Sequence, residues 1–134
     1  MLIYECADSA DDIAQVLITS IELNNMRLVA HINGQANAAK IGKTVPADQI
    51  LEVFRPDFAV RVWQACKPAG MDIPLRIHVY EDAAGNTTVA FRTASETFAP
   101  YDSPELSAIG KELDEIFGEI LKAVEVSATE AIHG

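Results

Sequence analysis

The 134 residues are 49% hydrophobic and 22% charged, a balance that excludes a disordered chain and supplies enough apolar surface for one core but not two. No apolar run approaches the roughly 18 residues that a membrane-spanning helix needs, which excludes a membrane protein of the helical kind. Ten Lys and Arg against twenty Asp and Glu leave a formal net charge of -10, and such a chain repels phosphate backbones, so nucleic acid is not an expected partner.

The opening MLIYECADSADD has neither a basic start nor an apolar stretch ending in small residues, so it reads as mature structure and the protein as cytoplasmic. Residues 2–7 predict a strand. Ser9 then caps a helix with Asp12 as the acidic partner of a capping box, and that helix continues to about Asn24, with Ile13, Val16, Leu17, Ile21 and Leu23 near helical spacing. A second strand follows over 26–33, and the small residues of 34–43 suit a short helix. Residues 49–54 make a third strand. Pro56 fits the first turn of the next helix, which points Phe58, Val62, Trp63 and Cys66 inward and ends at Lys67-Pro68-Ala69-Gly70.

Strands over 75–81 and 87–93 flank Asp82-Ala83-Ala84-Gly85-Asn86, where Gly and Asn accept the positive φ of a hairpin turn. After a loop containing Pro100, Ser103 and Pro104 take the cap and first-turn positions of a long helix striped with Ile109, Leu113, Ile116, Phe117, Ile120 and Leu121. The expected organisation is a single domain over 1–126 with a flexible tail over 127–134. Helices between and after hairpin-like strands imply an α+β fold, an antiparallel sheet covered by helices on one face. Cys6 and Cys66 form no CxxC or metal-ligand spacing and read as two small, reduced, buried hydrophobes.

Between residues 32 and 93 an ordered series of short motifs carries a family resemblance: Ala36-Asn37-Ala38-Ala39-Lys40-Ile41-Gly42, Val45-Pro46, the Val53-Phe54-Arg55-Pro56 corner, Ala69-Gly70-Met71-Asp72-Ile73-Pro74-Leu75-Arg76, and Val79-Tyr80-Glu81-Asp82 followed by Gly85. In these the chain resembles the DUF302 family. The resemblance implies a β-α-β(4)-α-like fold with an additional helix between strands, a homodimer, and no established activity. Departures stand beside the matches. Many relatives carry Asp-His where this chain has Asn33-Gly34, and a side branch carries cysteines at the positions of Phe54 and Leu75, so an Asp-His or thiol chemistry in those relatives is not repeated here with the same groups. Arg55 also stands where relatives have an Asn that caps the helix, and a guanidinium accepts no hydrogen bond.

Strand alternation directs Leu75, Ile77 and Val79 toward the helices and Arg76, His78 and Tyr80 away from them. The same reasoning sets His31 opposite Ala30 and Ile32, and Arg92 opposite Val89 and Phe91. His31, Arg76, His78, Tyr80 and Arg92 are therefore the candidate ligand-binding residues, gathered on the helix-free face as a patch suited to a carboxylate or phosphate. Tyr80, Phe91, Phe98 and Tyr101 are candidate apolar walls. Against this, Glu5 and Glu52 are expected on the same surface, where cross-strand ion pairs are ordinary.

No cofactor or metal is expected: the glycines form neither a dinucleotide fingerprint nor a P-loop, no GxSxG or HExxH occurs, and His31 and His78 lack a sequence-local ligand spacing. Three functions fit these residues. The first is a non-catalytic homodimer binding a small anionic or amphipathic ligand or a partner; the second is an enzyme with a His acid or base acting on a small anionic substrate; the third is a plain interaction module.

Overall fold

The computed structural model describes residues 1–125 and the backbone of Ala128–His133. Strand β1 (Leu2–Cys6) leads into helix α1 (Ala10–Leu23), whose start is fixed by Ser9: its hydroxyl accepts the Asp12 N–H at 3.2 Å. The chain continues through β2 (Arg27–Asn33), α2 (Gly34–Ala39), β3 (Asp48–Phe54), α3 (Pro56–Ala65), a 3-10 turn (Lys67–Asp72), β4 (Leu75–Glu81) and β5 (Thr87–Phe91). It closes with α4 (Ala94–Phe98), a second 3-10 turn (Ala99–Tyr101), α5 (Pro104–Glu125) and β6 (Ala128–His133).

The sheet order is β2-β3-β4-β5-β1-β6, with every neighbouring pair antiparallel. Going from β1 to β2 therefore means crossing four strand spacings, about 19 Å at 4.8 Å each. The 14 residues of α1 advance about 21 Å, so the length of this helix matches the width of the sheet that it must cross. It lies on β2, β3 and β4 and against α5.

Alternation decides what is buried. Leu51 and Val53, Leu75, Ile77 and Val79, and Val89 and Phe91 point toward the helices and are withdrawn from water. They meet the α5 stripe of Leu106, Ile109, Leu113, Phe117, Ile120 and Leu121, with the Phe91 and Phe117 rings stacked at 4.9 Å. Ser20 ties α1 to this stripe, its hydroxyl donating to the Ile120 carbonyl at 2.8 Å. Where α4 crosses α5 the backbones approach closely: a Cβ on Gly110 would lie 3.4 Å from both Phe98 and the Ser95 backbone. Asp114 secures that crossing by accepting the Ser95 N–H at 3.2 Å and its hydroxyl.

Several expectations need revision. The loop after β5 is in fact a helix, α4, and it carries the two-way capping box, with Thr93 and Glu96 capping each other; the strand before it stops at Phe91. Leu23 is 81% exposed and Val16 also faces solvent, because α1 touches the sheet only along its Ile13, Leu17 and Ile21 line. Trp63 is 44% exposed, since α3 turns only Phe58 and Val62 inward. Cys6 is buried and Cys66 half-buried, both unpaired.

Arg55 makes no helix cap. Its guanidinium instead bonds the Asp57 carboxylate at 2.6 and 3.0 Å and the Asn25 carbonyl at 3.1 Å, which fastens the β3–α3 corner to the α1–β2 turn. That pair holds the Asp57 carboxyl below the usual carboxylate range. Of the expected tail, Ser127 and Gly134 lie outside the described residues. The backbone of Ala128–His133 runs as β6 along β1, covering what would otherwise be an open edge.

Candidate functional site on the open face of the sheet

The register of β3, β4, β5 and β1 builds the helix-free face row by row, because residues paired across antiparallel strands share a side. Ile50 stands opposite His78, His78 opposite Ala90, and Ala90 opposite Ile3. One step along, Asp48 pairs with Tyr80 and Tyr80 with Thr88; one step the other way, Glu52 pairs with Arg76.

Four of the five sequence candidates meet here. Arg76, His78, Tyr80 and Arg92 line one shallow hollow of about 340 Å³, floored by Ile3, Ile50 and Ala90. No carboxylate is among its lining residues. The His78 and Tyr80 rings stack at 4.4 Å, and Asp48 lies 3.0 Å from His78 Nε2, orienting the imidazole from the rim. Arg76 and Arg92 are exposed and, among the described residues, their guanidiniums take part in no hydrogen bond or ion pair.

Beside the hollow a second cleft of about 320 Å³ shares both arginines and adds Glu52, Met71, Asp72 and Thr97. Its carboxylates make it the less suitable of the two for an anion. Asp72 accepts the Tyr101 hydroxyl, which joins the two 3-10 turns at the edge of the cleft, and that bond to a carboxylate raises the Tyr101 pKa.

His31 is the exception. It sits opposite Leu51 on the helix side of the sheet, its Nε2 2.7 Å from Oε1 of Gln49, and Gln49 is 1% exposed and donates to Asp11 of α1 at 2.8 Å. The cause is an irregularity in β2. Leu28 pairs with Val53, which faces the helices, whereas Ala30 pairs with Glu52, which faces away; the extra residue, Val29, reverses the phase of everything after it. Ala30 and Ile32 therefore lie on the open face, and His31 belongs to a hydrogen-bonded structural network.

The aromatic walls are likewise reduced to one. Phe98 is in the core, Tyr101 is on the 3-10 turn, and Phe91, although it borders the hollow, is 2% exposed with its ring stacked on Phe117, which leaves Tyr80 as the wall. Sequence reasoning missed Asp48 and the apolar floor. Alternation along β3 carried the signal, since Asp48, Ile50 and Glu52 share a parity. Among the described residues no group of three or more His, Cys, Asp or Glu side chains is placed to hold a metal ion, and no helix is long and apolar enough to cross a membrane.

An antiparallel sheet with helices on one face and a basic, apolar-floored hollow on the other defines an α+β protein with an open-faced sheet. The chain belongs to the DUF302 family, described as a domain of unknown function, whose profile matches residues 3–124. The fold is that of a solved DUF302 protein from Bacillus stearothermophilus, described as an uncharacterized conserved protein, with 17% identity, a TM-score of 0.80, and coverage of 91% of this chain and 95% of that one. An adenosylmethionine decarboxylase from Aquifex aeolicus aligns over 98% of this chain and 81% of its own at 11% identity, with a TM-score of 0.39. No curated protein matches the chain in sequence.

Proposed function

We propose that the protein is a non-catalytic homodimer that binds a small anion, a dicarboxylate or a phosphate on a short carbon body, in the hollow on its open sheet face. One observation carries this reading: in a chain of net charge -10, Arg76 and Arg92 flank a single hollow without a carboxylate among its lining residues. Two guanidiniums held near one another repel, and an anion between them relieves that repulsion while accepting charge-assisted hydrogen bonds. Ile3, Ile50 and Ala90 suit the carbon body.

The test is thermal stability with succinate, citrate or inorganic phosphate added. A ligand that binds only the folded state at about 100 times its Kd stabilises by roughly 2.7 kcal/mol. At least one of the three is expected to raise the midpoint, and Arg76→Ala to abolish the rise while keeping the fold. A parent insensitive to all three would defeat the proposal.

The dimer in this reading is supported by Ile32, an exposed apolar side chain on the open face of the edge strand β2, outside the hollow, which a second copy would remove from water. Light scattering is expected to give twice the 14.5 kDa of one chain, and a value of 14.5 kDa at high micromolar concentration would count against it.

A second reading is supported by the Asp48–His78 pair at 3.0 Å, the arrangement of an oriented acid or base beside the anion position. The reading is that of an enzyme acting on a small anionic substrate. It requires His78→Gln to lose turnover while retaining binding; binding without turnover in the parent favours the first reading.

A further inference from the structure

Ile73 and Pro74 border the Arg76 cleft on one side and, on the other, a separate groove of about 440 Å³, a size typical of small-molecule sites. Its walls are Val29, Phe54, Ala59, Trp63, Ile73 and Pro74. Val29 is 58% exposed at the irregularity in β2, and Trp63 is half-exposed on α3, so two large apolar side chains stay wet around one concavity. The indole is also held in place. Gly70 lies so close that a Cβ there would come within 3.1 Å of Nε1, and Lys67 Nζ sits 5.0 Å from the ring centroid.

No carboxylate lines this groove, but two guanidiniums do. Arg55 is committed to Asp57 and to the Asn25 carbonyl, whereas the Arg27 guanidinium, among the described residues, takes part in no hydrogen bond or ion pair. With Arg55 paired and Lys67 resting on the Trp63 ring outside the lining, Arg27 is the one uncommitted cation among the groove's lining residues, which selects a ligand with one negative charge and a hydrocarbon body. A dianion would leave its second charge over an apolar wall, where desolvation is unfavourable.

We infer that this groove binds an apolar monocarboxylate, its hydrocarbon against Trp63 and Val29 and its carboxylate on Arg27. The site is independent of the hollow at Arg76 and Arg92, and it stands whether or not that hollow binds an anion.

Trp63 is the only tryptophan in the chain, so intrinsic emission reports this groove directly. Octanoate is the probe, with octan-1-ol as its uncharged counterpart. Octanoate is expected to shift the Trp63 emission saturably, with octan-1-ol at least tenfold weaker. Arg27→Ala is expected to weaken octanoate at least tenfold, Val29→Asp to abolish the response, and Arg76→Ala to leave it unchanged. Arg27 and Val29 are exposed, and an unaltered unfolding midpoint for their variants establishes that the fold is retained. An emission spectrum unmoved by octanoate, equal responses to octanoate and octan-1-ol, or an Arg27→Ala variant that binds as the parent does would overturn the inference.

Discussion

Phe117→Ala is expected to lower the unfolding free energy by about 3–5 kcal/mol, a large share of the total stability of a domain this size. The side chain is 1% exposed and stacked on Phe91, so its removal takes out both the transfer term and an aromatic contact and leaves a cavity between α5 and the sheet. Ending the chain before Pro104 extends the same argument. It would uncover the sheet along the line now filled by Leu106, Leu113, Phe117, Ile120 and Leu121, each contributing about 1.5–3 kcal/mol by burial. That fragment is expected not to fold, and chemical denaturation followed by circular dichroism measures both effects. A cooperative transition in the fragment would mean that the sheet has another source of cover.

Arg76→Glu has the largest expected effect on binding. Losing a charge-assisted hydrogen bond costs about 1.5–3 kcal/mol, a ten- to hundredfold weakening, and a carboxylate at that position adds repulsion of the ligand. Binding of the anion identified by the thermal screen is expected to vanish, as read by titration calorimetry. The fold is expected to survive, because Arg76 is exposed and has no ion pair among the described residues. Unfolding of the variant would instead make Arg76 a structural residue.

The sequence was most legible where strands lie between two neighbours. In β4, Leu75, Ile77 and Val79 are buried while Arg76, His78 and Tyr80 alternate with them, so period 2 reads directly as inside and outside. In β2 that reading fails. An edge strand is wet on more than one side, and Val29 inserts a phase change that hydrophobicity alone does not reveal, which carried His31 to the wrong face. Trp63 misleads for a related reason: a large apolar residue at nearly helical spacing looks like core, although a short helix has room to bury only one narrow line. Helix α4 went unread because its signal is the short Thr93–Glu96 box followed at once by Pro100. Asp48 and Ile50 share the parity of Glu52 within β3, but their meeting with His78, Ala90 and Ile3 emerges only when strands far apart in the chain are placed in register.

Anion binding on the open sheet face is tested most directly by a series of ¹H–¹⁵N correlation spectra recorded as the anion from the thermal screen is added. Shifts are expected to concentrate at Arg76, His78, Tyr80, Ala90 and Arg92, residues of the open-face hollow. Perturbations confined to α1 and α5, on the opposite side of the sheet, would contradict binding there.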